Sequence, residues 1–447
     1  MNYALKIRYI VTYQENKVII IENGIILIDG NKITDIGNNL EIKDREVLEF
    51  PNHVVIPGFI NTHSHTAMTL FRGYADDVPL NRWLNEYIWP MEAKLSGKEV
   101  EIGAKLAAIE LILSGTTTVN SMYWYPKNEL IAFKEIGVRL MSGPPIISGV
   151  SDLSSSEKLV NDWHGNNDDM SRISINPHAP YTVTPDDYTE ILNYKNSYNS
   201  KSNCPNLKIH THLAESKLEM QLISEFSKDK GFEFSDSIKT PTQYLDSIGI
   251  LDVDLIAAHA VECNDEDLQL ILQKNVGVSI NTISNMKLGN GIPRIKEMSA
   301  NGLKISLGTD GPAANNGFSM FETMKMSSLT QKSLYNDPSL LSADKLLMMA
   351  TAGGADVLGW KDIGTIKKGN KADLTFINLN KPHLRPILNL QSIVSTIVYS
   401  ANQQDVSDVM INGKWKMRDG NLTEYNIDDI LNEFEVCTKN FFDNSKN

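Results

Sequence analysis

The chain has 447 residues, 41% hydrophobic and 22% charged, an ordinary globular composition that excludes a disordered or fibrous protein. Its 42 basic and 55 acidic residues give a formal net charge of −13, which disfavours a general nucleic-acid or acidic-membrane binder. Three cysteines without a C-x-x-C pair cannot build a disulfide framework and are typical of a reducing compartment. With no apolar stretch of about 18 residues and no signal-type N-terminus, we expect a cytoplasmic protein without a membrane span.

Short β-rich runs separated by Asn-Gly and Asp-Gly turns occupy both ends of the chain. They lie at residues 19–21, 24–28 and 32–36, and again at 372–377, 406–411 and 414–417. We therefore predict one small β-sandwich domain formed by both termini. Its first part would be residues 1–56, and its second part residues 363–447, which include a C-terminal helix over 426–447.

The middle of the chain alternates apolar, β-branched runs with segments of helical period. The eight runs are residues 54–62, 116–121, 138–143, 172–177, 207–213, 254–259, 276–281 and 303–309. Capping residues such as Ser96 and Thr240 begin some of the intervening helices. This pattern predicts an α/β fold, a TIM-like (β/α)₈ barrel, over residues 57–362. An open doubly wound sheet is the alternative, but neither of its nucleotide-binding glycine motifs follows a strand.

Polar, metal-binding side chains stand where these runs end. In a barrel, the carboxyl ends of the strands form the active face. The residues at those ends are His63 and His65 (first run), His178 (fourth), His210 and His212 (fifth), His259 (sixth) and Asp310 (eighth).

Two His-x-His pairs indicate a metal site, because side chains two apart point to the same side of a strand. Imidazoles together with a carboxylate suit Zn²⁺, with Fe²⁺ as the substitute. His212 lies nearer the end of its strand than His210, so we predict His212 as a ligand and His210 as a supporting or packing residue. Asp310 could bind the metal and accept a proton from water, or could simply be a turn aspartate before Gly311.

Glu215 follows three residues after His212. A carboxyl at the mouth of a barrel can transfer a proton to a bound ring. The alternative is a carboxylate that favours the N-terminus of the next helix.

Four motifs resemble the amidohydrolase superfamily: PGFINTHSH at 57–65, HTHLAE at 210–215, HA at 259–260 and LGTDG at 307–311. Four more are similar to the 5′-methylthioadenosine/S-adenosylhomocysteine deaminases and the related triazine hydrolases. These are MTLFRGYADD at 68–77, WPMEAK at 89–94, PHAPY at 177–181 and SNMKL at 284–288. The resemblance covers nearly the whole chain, including the split β-domain.

The resemblance implies that one divalent metal, usually zinc, is bound by four ligands, namely His63, His65, His212 and Asp310. It further implies that His259 polarises the attacking water or the oxyanion. Among the substrate contacts, Glu215 would protonate the purine N1, Glu92 would accept hydrogen bonds from the ribose hydroxyls, and His178 would lie along the ribose.

The implied enzyme is a hydrolase of C–N bonds in cyclic amidines, an aminohydrolase. It would deaminate 5′-methylthioadenosine, S-adenosylhomocysteine or adenosine at C6, releasing ammonia and an inosine-type product, with Asp310 moving the water proton to the leaving amine. Deaminases that accept S-adenosylhomocysteine tend to carry arginines after the third strand, but residues 148–161 contain none. Methylthioadenosine or another adenine nucleoside is therefore the safer substrate.

Other functions stay open at this point. The same site could deaminate or dechlorinate another N-heterocycle, such as guanine, cytosine or a triazine, although Glu92 favours a sugar-bearing substrate. Ring-amide hydrolysis, as in imidazolonepropionase-like members, and a catalytically inactive barrel are the further alternatives. We expect a small-molecule nucleoside as the partner, no nucleic acid or membrane, and a homo-oligomer.

Overall fold

The computed structural model describes residues 2–15, 17–166, 169–201 and 204–445. The four N-terminal strands belong to one sheet and are β1 (Asn2–Gln14), β2 (Lys17–Asp29), β3 (Lys32–Gly37) and β4 (Glu46–Pro57). β1 pairs antiparallel with β2 and parallel with β4. The turn between β2 and β3 uses Gly30 at φ +61°, a conformation that glycine adopts without steric cost.

The barrel strands pair in parallel. They are β5 (Phe59–Ser64), β6 (Thr116–Met122), β7 (Arg139–Gly143), β8 (Pro145–Ile146), β9 (Ser171–Pro177), β10 (Lys208–Leu213), β11 (Leu255–His259), β12 (Gly277–Ile280) and β13 (Lys304–Leu307). Their order is β5-β6-β7-β9-β10-β11-β12-β13, with the short β8 beside β9. The two ends of this path meet, because the Asp310 amide donates to the His63 carbonyl at 3.0 Å. The predicted TIM-like barrel is confirmed.

One predicted run is divided in the structure. Residues 54–62 were expected to form the first barrel strand, but Pro57 ends β4 in the terminal sheet and β5 begins at Phe59. The chain crosses from one sheet to the other at Gly58, where a Cβ atom would collide with the side chain of Thr117. The other seven runs overlie β6, β7 and β9–β13.

Helices connect the strands and cover the barrel. They are α1 (Leu80–Arg82), α2 (Trp89–Glu92), α3 (Gly97–Leu113), α4 (Pro126–Ile136), α5 (Ser154–Trp163), α6 (Pro185–Lys201), α7 (Glu219–Lys230), α8 (Pro241–Ile248), α9 (Asp265–Gln273), α10 (Thr282–Lys287), α11 (Ile295–Ala300), α12 (Met320–Tyr335), α13 (Ala343–Met349), α14 (Ala352–Leu358), α15 (Leu390–Tyr399) and α16 (Ile427–Ser445). A π-helical turn, Trp83–Ile88, joins α1 to α2, and 3₁₀ turns occur at Thr66–Phe71, Pro382–Leu384 and Gln403–Asp405.

Local sequence explains several helix starts. Ser96 and Thr240 accept hydrogen bonds from backbone amides in the first turns of α3 and α8, as predicted. The last helix, α16, begins at Ile427, one residue later than predicted, and residues 446–447 of the prediction lie outside the described residues. None of the helices within the described ranges is long and apolar enough to cross a membrane.

The C-terminal strands complete the terminal sheet. They are β14 (Leu374–Asn378), β15 (Val406–Ile411), β16 (Lys414–Arg418) and β17 (Asn421–Leu422). The sheet runs β17-β16-β15-β14-β4-β1-β2-β3, so the four C-terminal strands and the four N-terminal strands form its two halves, which join around one core where β14 pairs with β4. The sheet curls, so that the Ile33 amide in β3 donates a hydrogen bond to the Asn370 carbonyl, which lies just before β14. The prediction of a small β-domain built from both ends of the chain is confirmed.

Candidate active site

Three histidines meet at the carboxyl end of the barrel. His63 lies in β5, His65 follows directly after the end of that strand, and His212 is the penultimate residue of β10. The Nε2 atoms of His65 and His212 are 3.4 Å apart. One ligand atom from each of the three rings lies within 4.8 Å of the others, a spacing that one metal ion can span.

Asp310 adds a carboxylate to this cluster. It follows β13 at φ +65°, and its Oδ1 lies 3.4 Å from His63 Nε2 and 3.2 Å from His65 Nε2. Its Oδ2 accepts a hydrogen bond from the Ser284 hydroxyl. Burial alone would raise the pKa of Asp310, but the close approach of the His63 and His65 rings holds that pKa well below its ordinary value. The carboxylate is therefore ionised, as a metal ligand must be.

The opposite nitrogen of each ring is held by a second group. His65 Nδ1 donates to the Met122 carbonyl at 2.6 Å, and His212 Nδ1 donates to the His178 carbonyl at 2.7 Å. His63 Nδ1 is hydrogen bonded to His210 Nε2 at 2.8 Å. Outer partners of this kind orient the rings of metal-binding histidines. His210 thus lies behind His63, outside the cluster.

The donor set fits a divalent metal ion. His63 is fully buried, and burial lowers its pKa to about 3, so its ring is neutral. Its Nε2 atom points into the cluster without a hydrogen-bond partner. A buried, neutral imidazole nitrogen with no partner, beside an ionised carboxylate, is the arrangement that Zn²⁺ or Fe²⁺ binds.

His259 faces the same point from β11. It is the last residue of that strand, at φ +77°, and its Nδ1 donates to Asn285 Oδ1 at 2.8 Å. Its Nε2 is buried without a hydrogen-bond partner and lies 3.8 Å from a Glu215 carboxylate oxygen. The Asn285 contact leaves Nε2 free to accept a hydrogen bond from a water molecule in the site.

Glu215 follows β10 and is 6% exposed. Its Oε1 accepts a hydrogen bond from the Asn290 side-chain amide at 3.0 Å. Burial raises the pKa of Glu215 above its ordinary value, which favours the protonated carboxyl. This carboxyl therefore suits the donation of a proton to a bound ring.

An inner cavity opens over these groups. Its apolar wall contains Trp83 and Trp89, whereas Tyr87 packs against Tyr74 outside it. An outer cavity of about 750 Å³ continues from it past Leu84 and Leu288 toward the surface. The volume of the outer cavity lies within the range of small-molecule binding sites.

Glu92 and His178 line the same inner cavity. Glu92 Oε2 accepts a hydrogen bond from Trp124 Nε1 at 3.1 Å, whereas Glu92 Oε1 is buried without a partner. His178 lies beside His212, with ring centroids 4.9 Å apart, and burial lowers its pKa to about 3. Glu92 thus offers a free acceptor to hydroxyl groups, and His178 offers a neutral ring to a neighbouring ligand.

The sequence analysis assigned no role to three residues of the site: Ser284, Asn285 and Asn290. Ser284 and Asn285 are neighbours on α10 and hold Asp310 and His259, respectively. The SNMKL motif pointed to the first two without giving them roles. The sequence around Asn290 did not indicate a functional role, because an asparagine between two glycines is typical of a turn.

A parallel barrel whose strand ends bring histidines and an aspartate to one point, beside a buried acid, defines a metal-dependent hydrolase. The sequence profile of the Amidohydrolase family matches residues 54–416. The chain belongs to the amidohydrolase family.

Within this family, the chain is similar to proteins named as deaminases of adenosine-type nucleosides. A 5′-deoxyadenosine deaminase from Methanothermobacter thermautotrophicus is 40% identical over 413 residues, which are 90% of this chain and 91% of the relative. A 5-methylthioadenosine/S-adenosylhomocysteine deaminase from Caldanaerobacter subterraneus subsp. tengcongensis is 36% identical, over 98% of each chain. The crystal structure of an adenosine deaminase from Xanthomonas campestris with bound zinc superposes with a TM-score of 0.88, at 26% identity and 98% coverage of both chains.

Proposed function

We propose that this protein deaminates adenine nucleosides by hydrolysis at C6, releasing ammonia. The observation that carries the proposal is the arrangement of the inner cavity. Asp310, His259 and Glu215 converge on one part of its lining, and Glu92 presents an unpartnered oxygen to another. The relatives named as adenosine-type deaminases support the same reaction.

We further propose one zinc ion per chain, with Fe²⁺ as the alternative, held by His63, His65, His212 and Asp310. When bound, the ion would lower the pKa of a coordinated water and thereby supply a nucleophile near neutral pH. The zinc in the Xanthomonas campestris structure supports this choice of metal.

The protein groups then move the protons. Glu215 donates its proton to N1, which makes C6 electrophilic, and His259 Nε2 accepts a hydrogen bond from the attacking water. As the C6–O bond forms, Asp310 takes one water proton and passes it to the amine. The C6–N bond breaks, ammonia leaves, and the remaining hydroxyl proton returns to Glu215 as the C6 carbonyl forms. Water and nucleoside thus become ammonia and the inosine-type product.

The cavity favours a nucleoside with a small, uncharged 5′ group. With C6 at Asp310 and the ribose hydroxyls at Glu92, the 5′ substituent would meet the apolar remainder of the wall, which includes Trp124, Pro145 and Ile147. Within the described ranges, no lysine or arginine lines the inner cavity. A homocysteine carboxylate would therefore lack a cationic partner there, whereas a 5′-deoxy or methylthio group would bury apolar surface.

A side-by-side assay of ammonia release by the zinc-loaded protein tests the proposal. The substrates are 5′-deoxyadenosine, methylthioadenosine, adenosine, S-adenosylhomocysteine and guanine. We expect kcat/KM for the first two to exceed that for S-adenosylhomocysteine by about 10- to 100-fold, the value of a missing charge-assisted hydrogen bond. Preference for S-adenosylhomocysteine would contradict the 5′ assignment, and preference for guanine would contradict the nucleoside.

Glu92→Gln should lower kcat/KM for an adenine nucleoside by about 10- to 100-fold, because an amide group replaces one of the two carboxyl oxygens that can accept hydrogen bonds from the ribose hydroxyls. The same variant should act on 2′,3′-dideoxyadenosine nearly as well as the parent protein does, since that nucleoside has no hydroxyls there. Steady-state kinetics of both proteins on both substrates measure this coupling. Equal losses on the two nucleosides would contradict a ribose contact.

We also propose that the protein is cytoplasmic and forms a homo-oligomer. Each chain would consist of a barrel domain, residues 57–362, and a β-domain formed by residues 1–56 and 363–447. These statements rest on composition, on the pattern of strands along the chain and on the family resemblance.

A further inference from the structure

A second buried carboxyl group lies beside Glu215. Glu219, the first residue of α7, is 1% exposed. Its Oε1 accepts a hydrogen bond from the Ala214 amide at 2.9 Å, and its Oε2 accepts one from the Glu215 amide at 2.8 Å. No lysine or arginine within the described residues forms an ion pair with it. One carboxyl group thus accepts hydrogen bonds from two successive backbone amides.

The segment that Glu219 holds has an unusual backbone. The chain leaves β10 at Leu213 and turns through Ala214, whose φ of +49° is disfavoured for a residue with a side chain. On the other side, the Ala260 and Glu262 amides donate to the Leu213 and Ala214 carbonyls at 2.9 Å. The carbonyl groups of the turn are therefore held by the segment that follows β11, and its amides are held by Glu219.

The direction of the Glu215 side chain depends on this turn, because a side chain leaves the backbone at an angle fixed by the neighbouring peptide planes. Asn290 holds one oxygen at the tip of Glu215, but a single contact at the tip does not determine where its backbone lies. Glu219 fixes the backbone from which the Glu215 side chain extends, because it accepts a hydrogen bond from the Glu215 amide.

The acid at this position acts on the preceding turn rather than on its own helix. Burying a carboxyl group without a counter-ion costs folding free energy, and the hydrogen bonds from the Ala214 and Glu215 amides offset part of that cost. Glu219 also does not cap its own helix: it reaches back to residues 214 and 215, and the N-cap residue of α7 makes no side-chain cap. The group thus serves the turn that carries Glu215.

We propose that Glu219 is a positioning residue for the reaction, which fixes the main chain of Glu215 so that its carboxyl meets N1 of the base. The inference rests on the proposed function of Glu215. It assigns no proton transfer to Glu219 itself.

The test is a double-mutant cycle on the zinc-loaded protein. Glu219→Gln keeps the shape of the side chain but turns an amide group toward one of the two backbone amides. We expect kcat to fall by about 10- to 100-fold, with KM within about threefold and zinc content unchanged, because only proton delivery is impaired. Glu225→Gln, at an exposed position of α7, is the matched control and should keep full activity.

Adding Glu219→Gln to Glu215→Gln should change kcat by less than about twofold, because a residue that acts only through Glu215 has nothing left to position. Independent, multiplicative losses would overturn the inference, as would near-normal activity of the single variant. If Glu219→Gln does not fold, Glu219→Asp replaces it, since the shorter acid keeps the carboxyl group but cannot reach both amides. An active Glu215→Gln protein would instead contradict the proposed function.

Discussion

Glu215→Gln should lower kcat for an adenine nucleoside by about 10²- to 10⁴-fold, the usual contribution of a positioned general acid. Glutamine keeps the shape of the side chain and can still contact Asn290, but it has no carboxyl proton to give to N1. KM should change little, because the ring and ribose contacts persist. Single-turnover and steady-state kinetics, with zinc analysis of the same sample, measure the effect.

The matched control for this variant is Glu262→Gln. Glu262 lines the outer cavity together with Glu215 but does not line the inner cavity. It should keep kcat within about twofold, as substitutions away from the reacting atoms usually do. A Glu215→Gln protein that also stays near normal would exclude Glu215 as the proton donor.

Asp310→Asn should lower turnover by about 10³-fold or more, because one substitution removes a metal ligand and the proton acceptor for the attacking water. Its neutral amide should also weaken zinc binding by at least about 10- to 100-fold, the loss seen even for outer-sphere partners. Zinc retained after dialysis and kcat at saturating zinc separate the two effects. Full recovery of kcat at saturating zinc would show that Asp310 moves no proton.

Asp76→Asn is the control at the rim of the barrel. Asp76 pairs with Lys287, the last residue of α10, and does not line the inner cavity. Loss of this partly exposed ion pair should have little effect, because such pairs contribute about 1 kcal/mol or less. If Asp76→Asn were as inactive as Asp310→Asn, the loss would reflect general loop disorder rather than the chemistry of Asp310.

The sequence was sufficient for the barrel and for the position of the histidine cluster, because both follow from local rules. Side chains alternate along a strand, so His63 and His65 had to share a side, and the carboxyl ends of parallel strands meet at one face. The same rule placed His212 closer to that face than His210, as the structure has them. The expected position of Asp310 likewise followed from the end of the eighth run.

The supporting residues could not be found in this way. Asn285 and Asn290 contact His259 and Glu215 from other parts of the chain, and such pairings depend on the assembled barrel rather than on spacing. The role of Glu219 could not be predicted for a different reason. An acid in the first turn of a helix is ordinarily exposed and interacts favourably with the helix dipole. Only its burial and its two backbone partners distinguish it.

The break at Pro57 shows a similar limit. An apolar run of nine residues over 54–62 has the composition of one strand, and its alternation does not reveal that two sheets share it. Proline has no amide to donate, so a central strand tends to end there. The first half of this run joins the terminal sheet because it pairs with β1 and β14, which are far away in the sequence.

The most direct test is to run the reaction in water labelled with heavy oxygen, using the zinc-loaded protein and 5′-deoxyadenosine. The account predicts ammonia and the inosine-type product in equal amounts, with one labelled oxygen at C6, and loss of the reaction when zinc is removed by a chelator. Release of free adenine, or no ammonia from any adenine nucleoside, would contradict hydrolytic deamination as the function of this site.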